Sequence, residues 1–164
     1  MGAVLKWRFN TKSVEGANPL TQRLIEKSIP VPHLLLVDDD ASFTELISRM
    51  ASYEHVPITI CTSAKEVHSL SQWNFDVVVV NYDLVGDMNG LELIDSLGAH
   101  FRNIPVILIG QSRQVEAAQW PKCVKRFFPK AIGSYGILVA AFEAHEFATM
   151  DRRFLQMVES ERNK

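Results

Sequence analysis

Short apolar runs alternate with amphipathic segments along most of the chain. Five runs rich in apolar residues are typical of strands covered on both faces of a parallel sheet, and these are Leu34–Val37, Ile58–Cys61, Val77–Val80, Val106–Ile109 and Val124–Phe128. The helix-like segments between and after them are Ser42–Ser52, Lys65–Gln72, Leu91–His100, Gln114–Gln119 and a last one from Ser134 onward. This alternation predicts an α/β fold with a doubly wound, five-stranded parallel sheet.

The first 32 residues do not follow this alternation. Apolar residues at every second position, with the period of a half-buried strand, are Leu5, Trp7 and Phe9. A short helix is predicted over Thr21–Ile29, and prolines end it. We therefore interpret residues 1–32 as an N-terminal extension that packs on, or projects from, a main domain at residues 33–146.

The last predicted helix is longer than the domain body requires. It runs from Ser134 to about Glu159 without a proline. Residues 147–164 form its extended C-terminal part and tail. Four apolar residues there recur at spacings of three and four and define what we call the seam: Phe147, Met150, Phe154 and Met157. The seam predicts packing either on residues 1–32 of the same chain or on a partner.

Composition narrows the range of functions. Lys and Arg total 17 and Asp and Glu total 19, so the net charge is −2 and bulk charge does not favour nucleic-acid binding. No apolar run approaches the roughly 20 residues of a membrane helix. The two cysteines, Cys61 and Cys123, are too few for a disulfide scaffold. We expect a cytoplasmic protein that binds neither nucleic acid nor membrane.

Polar residues follow the predicted strands at their carboxyl ends, where open α/β sheets bind ligands. Asp38 and Asp39 follow the first strand, and Asn81 follows the third. Gly110 follows the fourth strand and Lys130 the fifth. Carboxylates suit Mg²⁺, and a lysine suits phosphoryl oxygens, so the set is typical of phosphoryl chemistry.

Four segments of the chain resemble response-regulator receiver domains. They are HLLLVDDD at His33–Asp40, FDVVVVNYDLVGDMNGLELI at Phe75–Ile94, NIPVILI at Asn103–Ile109 and FFPK at Phe127–Lys130. The resemblance covers residues 33–146 and implies a flavodoxin-like receiver fold with strand order 2-1-3-4-5. It also implies that Asp38 and Asp39 match the Mg²⁺-binding acidic pair.

The same resemblance implies roles for the other polar and aromatic residues at the carboxyl ends of the predicted strands. Lys130 matches the lysine that contacts the phosphoryl group, and Phe127 matches the aromatic residue whose rotamer reports the switch. Asp83 occupies the position whose backbone carbonyl completes the metal site. Asn81 stands where the family has its phosphoacceptor aspartate, and Gly110 stands where it has a hydroxyl residue.

These departures predict a degenerate member of the family. An amide is a poor nucleophile and cannot form an acyl phosphate, so Asn81 leaves the chain without a catalytic residue. We expect a phosphorylation-independent pseudo-receiver, not an enzyme, that acts as a protein–protein interaction module in two-component-type signalling. Its metal site at Asp38 and Asp39 is expected to be weak or vestigial, and no other cofactor is expected.

We expect no output domain after the predicted receiver, and in that case its output is expected to be a protein contact. The expected partner is a signalling protein or a second copy of the chain. A homodimer would form through the face of the fourth helix, fifth strand and fifth helix, or through the C-terminal helix.

Two alternatives remain open at this level. Asp83 could be a displaced acceptor, which would make the chain a true receiver. The run Asp38–Ser42 also fits the DxDx[TS] motif of haloacid-dehalogenase-like phosphatases, with Asp38 as nucleophile and Asp40 as general acid. In that family Ser112 and Lys130 would supply the second and third motifs, but the fourth motif, an acidic pair, is missing.

Overall fold

The protein is described by a computed structural model that covers residues 18–111 and 120–163. Its helices are α1 (Pro19–Glu26), α2 (Ala41–Tyr53), α3 (Ala64–His68), α4 (Gly90–Ser96), α5 (Gly98–Phe101) and α6 (Gly133–Arg162), and a 3₁₀ turn spans Lys130–Ile132. Its strands are β1 (Leu34–Val37), β2 (Ile58–Cys61), β3 (Val77–Asn81), β4 (Val106–Gly110) and β5 (Val124–Pro129). All five predicted strands are present within one residue of their predicted bounds.

The strands form one parallel sheet in the order β2-β1-β3-β4-β5. β1 is in register with both of its neighbours, so that Val37 is level with Cys61 on β2 and with Val80 on β3. The pairing of β4 with β5 shifts between Val106 and Ile107. The order confirms the expected 2-1-3-4-5 topology and brings the carboxyl ends of all strands to one edge.

Two apolar layers cover the sheet, because successive side chains of a strand point to opposite faces. One layer packs Leu36 and Ile109 against α2 and α6. The other packs Leu35 and Leu108 against α3, α4 and α5. Burial on both faces explains why β1, β3 and β4 are apolar at nearly every position.

Two predicted helices are shorter than the pattern indicated. The helix predicted over Lys65–Gln72 ends at His68. The one predicted over Leu91–His100 is broken at Leu97 into α4 and α5, and Gly98, which has a low helix propensity, starts the second piece. The helix predicted over Gln114–Gln119 and the strand around Trp7 lie outside the described residues.

The described part of the N-terminal extension packs on the main domain. Leu20 and Leu24 of α1 are buried in the same apolar layer as α2 and α6. Glu146 of α6 pairs with Lys27 and lies 3.0 Å from the guanidinium of Arg23. Residues 18–32 are thus joined to α6 by apolar and ionic contacts.

Helix α6 runs for 30 residues, about 45 Å at 1.5 Å per residue. Its buried residues lie between Ile137 and His145, where it covers the sheet. From Phe147 onward every described residue except Ala148 and Thr149 is exposed, so the helix extends beyond the body of the domain. In the part of the chain that the structure describes, none of the helices combines the length and the apolar character needed to cross a bilayer.

Candidate functional site

The carboxyl-end edge of the sheet collects the polar residues that the sequence singled out. Asp38 and Asp39 directly follow β1, and Asn81 is the last residue of β3, the neighbouring strand. Lys130 begins the turn after β5. Hydrogen bonds join all four side chains, so the structure brings the predicted acidic cluster together with its amide and its lysine.

Asn81 turns its amide hydrogens toward the acidic pair. Its Nδ2 donates to Oδ1 of Asp38 at 3.3 Å and to Oδ1 of Asp39 at 3.2 Å. Its Oδ1 accepts the backbone N–H of Asp83 at 3.2 Å, which sets the orientation of the amide. Asn81 and Asp38 are both buried. A hydrogen-bond donor therefore occupies the space between the two carboxylates.

Lys130 is held on Asp38. Its Nζ lies 2.9 Å from Oδ1 and 2.8 Å from Oδ2 of that carboxylate, and 4.8 Å from the centre of the Phe43 ring. Burial raises the pKa of Asp38, while hydrogen bonds from Lys130 and from the backbone N–H of Asp40 oppose the rise. The positive charge of Lys130 thus compensates the negative charge of the buried Asp38 carboxylate.

Asp83 and Phe127 close over the end of β4. Oδ2 of Asp83 accepts the backbone N–H of Gln111 at 2.9 Å. A Cβ built on Gly110 would lie 3.0 Å from that same oxygen and 3.3 Å from the nearest ring atom of Phe127. Glycine at this position therefore lets both side chains approach the strand. The half-buried Phe127 ring packs on the layer beneath α4.

Gly90 fixes the loop that follows Asn81. A Cβ at Gly90 would lie 2.3 Å from the backbone oxygen of Asn81, a distance that no side chain can tolerate. The N–H of Gly90 donates to the carbonyl of Tyr82 at 3.0 Å. The first residue of α4, Gly90, therefore lies in direct contact with the backbone of Asn81 at the end of β3.

Sequence reasoning missed two contributors to the cluster. The backbone N–H of Val85 donates to Oδ2 of Asp39 at 3.3 Å, and the ring of Phe43 lies beneath Lys130. A backbone donor leaves no signal in the sequence, because every residue except proline supplies one. Asp40 behaves as a helix cap and accepts the N–H of Phe43 at 3.1 Å.

The seam lies far from this cluster along α6. It begins at Phe147, fourteen residues or about 21 Å from the start of the helix. The exposed fractions of its side chains are 74% for Phe147, 52% for Met150, 58% for Phe154 and 56% for Met157. The described residues of the extension do not cover the seam, and residues 1–17 lie outside the described part.

Comparisons with known proteins agree with this geometry. Residues 34–124 match the sequence model of the response regulator receiver domain. The chain is 36% identical over 91 residues to the regulatory protein VirG of Rhizobium radiobacter, a match that covers 55% of this chain and 33% of that protein. The chain thus spans between about a fifth and about a third of the length of the curated relatives it matches.

Solved structures show the same fold. A CheY-like receiver domain protein from Methanospirillum hungatei superposes with a TM-score of 0.66 at 17% identity, covering 74% of this chain and 99% of that one. NtrX from Brucella abortus gives a TM-score of 0.69 at 20% identity, covering 78% and 30%. With more than half of its residues matched by the family, this chain belongs to the response regulator receiver domain family.

Proposed function

We propose that this chain is a phosphorylation-independent pseudo-receiver, a cytoplasmic protein–protein interaction module of two-component-type signalling. The observation that carries the proposal is the contact of the Asn81 amide with both Asp38 and Asp39. The position that matches the phosphoacceptor carries a neutral donor, and that donor is bound to the acidic pair.

The chemistry of the site supports this proposal in two further ways. The amide of Asn81 is a poor nucleophile and cannot form an acyl phosphate. Gly110 has no hydroxyl that could follow a phosphoryl group, and its Cα instead lies beneath Asp83 and Phe127. A ligand shifts a conformational equilibrium only through differential contacts, and here both the covalent ligand and its sensor are missing. The arrangement around Phe127 is then set by packing alone.

Receiver domains typically bind Mg²⁺ at the phosphorylation site, and the donor set here fits that ion poorly. Mg²⁺ requires oxygen ligands in near-octahedral geometry. Asn81 offers N–H groups, not oxygen, to the space between Asp38 and Asp39. Lys130 already forms an ion pair with the carboxylate of Asp38. We therefore propose that Mg²⁺ binding is weak or vestigial and assign the ion no part in the function.

We propose no enzymatic activity. In a haloacid-dehalogenase-like phosphatase Asp38 would attack phosphorus and Asp40 would act as general acid. Asp38 is instead bonded to Lys130, Asn81 and a backbone N–H, and Asp40 caps α2. Ser112, the second-motif candidate of that alternative, lies outside the described residues. Membership of the receiver family also accounts for the acidic pair without such a reaction.

Asp83 is the other candidate acceptor. It is exposed, but its carboxylate is bonded to the N–H of Gln111 and lies over Gly110. Among the described residues, the Asp83 carboxylate bonds neither to Lys130 nor to the side chains of the acidic pair, and this supports Asn81 as the proposed acceptor position. The labelling experiment below separates the two assignments.

The proposed output is a constitutive contact with a signalling protein or with a second copy. The exposed seam on α6 offers an apolar surface for it. The alternative face includes the predicted fourth helix, which lies outside the described residues. With no phosphorylation to control it, binding is expected to depend on the abundance of the partner.

The test is labelling of the purified chain with acetyl phosphate and Mg²⁺. We expect no hydroxylamine-sensitive phosphoryl label on the wild-type chain. Asn81→Asp, which restores a carboxylate at the family position, is the positive control. A wild-type label that disappears in Asp83→Asn would contradict the proposal and assign Asp83 as a displaced acceptor.

A further inference from the structure

Strand β2 forms an outer edge of the sheet. Within the described residues it pairs only with β1. The carbonyls of Pro57 and Cys61 accept backbone N–H groups at the two ends of β1. Because the backbone groups of a strand alternate in direction, those of Ile58 and Ile60 point to the outer edge. An edge of this kind is a template for pairing with a further strand.

An apolar stripe on α2 borders this edge. Leu46, Met50 and Tyr53 follow one another at spacings of four and three, so they share one face of the helix. The exposed fraction is 52% for Leu46 and 59% for Tyr53. Met50 packs on the same apolar layer as Ile58 and Ile60 of β2. We call these five residues the edge patch.

The chain enters α1 beside the edge patch. The side-chain amide of Asn18, which precedes α1, donates to the carbonyl of Tyr53 at the end of α2. The other end of α1 lies on α6, where Lys27 pairs with Glu146. The residues that precede Asn18 therefore leave α1 on the side of α2, away from the seam.

We propose that Leu5–Phe9 pairs with the outer edge of β2 as a sixth strand, antiparallel to it, and covers the edge patch. Apolar residues in this segment alternate with Lys6 and Arg8. Successive side chains of a strand point to opposite faces, so all three apolar residues face the patch while both cations face the other side. A shift of the register by one residue would turn the two cations onto the patch.

The connection to α1 favours the antiparallel direction. Ile58 follows Tyr53 by five residues and therefore lies within about 17 Å of it. Residues 10–17 join Phe9 to Asn18 and can span about 26 Å. An antiparallel strand ends level with Ile58, within this reach of Asn18. A parallel strand would end at the far end of β2, about 10 Å more distant.

The charges on the opposite face agree with this register. With Phe9 opposite Ile58, Lys6 lies opposite Cys61 on the side of α3. Directly after β2, the carboxylate of Glu66 accepts the N–H of Thr62 at 2.7 Å and its hydroxyl at 3.0 Å. A carboxylate thus lies beside the place that Lys6 reaches. The seam stays uncovered in this arrangement, and the inference does not depend on the proposed function.

The two native cysteines mark two rival positions for the segment. Cys61 is the last residue of β2, and Cys123 lines a groove between α6 and β5 together with Phe147 and Met150 of the seam. Lys6→Cys adds a thiol to the segment. Opposite residues of paired strands have Cα atoms about 4.5–5.5 Å apart, a separation that a disulfide bridges.

The test is oxidation of the full chain with oxidised glutathione at low protein concentration, followed by peptide mapping. We expect Lys6→Cys to form a disulfide with Cys61 at least tenfold faster than Lys12→Cys, the matched control in the connection. A disulfide with Cys123 would place the segment in the groove beside the seam and overturn the inference. Equal rates for the two variants would overturn it as well.

Hydrogen exchange provides a second measurement on the full chain without an added thiol. Trp7→Ser with Phe9→Ser should speed exchange of the Ile58 and Ile60 amides at least tenfold, because these amides lose their partners. Val14→Ser, in the connection, is the matched control and should leave both amides protected. Unchanged exchange in β3 verifies that each variant is folded. Equal exchange at Ile58 and Ile60 in the wild type and the double variant would overturn the inference and leave the proposed function untouched.

Discussion

At the scale of single residues, one heavy atom of the side chain distinguishes Asn81 from an aspartate. Nitrogen in place of oxygen turns an acceptor into a donor, and the donor binds the two carboxylates that would otherwise repel a third. Lys130 supplies the positive charge on the other side of Asp38. The residues of the acidic cluster are therefore linked to one another by hydrogen bonds and by the ion pair of Lys130 with Asp38.

Asn81→Asp is predicted to increase the affinity for Mg²⁺. The substitution removes the N–H donor and adds a carboxylate to a site that suits a hard cation. Isothermal titration calorimetry at moderate salt should show no sub-millimolar binding to the wild type and at least tenfold tighter binding to the variant. Asp83→Asn is the matched control, because it removes a carboxylate outside the acidic pair. Equal affinities of wild type and Asn81→Asp would contradict the assignment of the site.

Gly110→Ser is predicted to destabilise the packing of Asp83 and Phe127 over the end of β4. A Cβ there would lie 3.0 Å from Oδ2 of Asp83 and 3.3 Å from the Phe127 ring, so at least one of them must move. We expect a loss of about 1 kcal/mol in the free energy of unfolding, within the range of overpacking substitutions. Urea titration measures this loss, and the aromatic NMR shifts of Phe127 report which side chain moves.

The double variant Gly110→Ser, Asp83→Ala should recover part of the loss in the free energy of unfolding, since it removes one of the two close contacts. If no stability is recovered, the Phe127 ring alone causes the loss.

At the scale of elements, α6 links three parts of the chain. Its first half covers the sheet, its middle pairs with α1, and its second half extends beyond the body. His145, buried on α6, contacts the carbonyl of Pro30 through Nε2 at 2.8 Å, and Arg153 donates to the carbonyl of Ser28 at 2.6 Å. These contacts hold the described extension along the middle of the helix and leave the seam exposed.

Glu146→Gln is predicted to weaken the contact between α1 and α6 in a pH-dependent way. A hydrogen bond from Lys27 and the nearby guanidinium of Arg23 lower the pKa of Glu146 below its usual 4.5. A lowered pKa in the folded state means that the stabilisation is present above about pH 4.5 and is lost as the pH falls through the folded pKa. We expect a loss of up to about 1 kcal/mol at pH 7, as for other exposed ion pairs, and a smaller loss toward pH 3.

Urea unfolding between pH 3 and pH 7 measures this difference. Glu143→Gln is the matched control, since its carboxylate reaches Arg23 only at 4.0 Å, and should have a smaller effect at pH 7. A loss for Glu146→Gln that stays constant across this pH range would mean that the charge of Glu146 does not stabilise α1.

At the scale of the whole molecule, stability and interaction are located in different parts. The two apolar layers bury β1, β3 and β4 and the sheet-facing side chains of the first half of α6. The second half of α6 exposes large apolar side chains that contribute little to that core. Changes in the seam can therefore affect binding without affecting the fold.

Phe154→Ser combined with Met157→Ser is predicted to abolish self-association or partner binding and leave the domain folded. Exposed positions away from the core usually change the free energy of unfolding by no more than about 0.5 kcal/mol. Circular dichroism and thermal unfolding measure the fold, and analytical ultracentrifugation measures the association. Gln156→Ser, an exposed polar position on the same helix, is the matched control. Unchanged association of the double variant would exclude the seam as the contact surface.

Much of this architecture could be predicted because it depends on local pattern. The apolar runs mark strands covered on both faces, and the strand order followed from the resemblance carried by the motifs around Asp38 and Asn81. The lengths of α3 and α4 were predicted less well. Helix ends depend on caps and on single residues such as Gly98. The period of the hydrophobic residues does not reveal these features.

The sequence by itself determined which elements form and which polar residues reach one edge of the sheet, because burial on one or two faces imposes a period on the chain. It also determined that an amide, Asn81, and not a carboxylate directly follows the third apolar run. Only the tertiary structure decided that the Asn81 amide points its hydrogens at Asp38 and Asp39, and that Asp83 lies over Gly110. It also decided that α1 packs beside α6 and leaves the seam exposed. These outcomes depend on contacts between residues far apart in the chain, and no local period encodes the partner of a side chain.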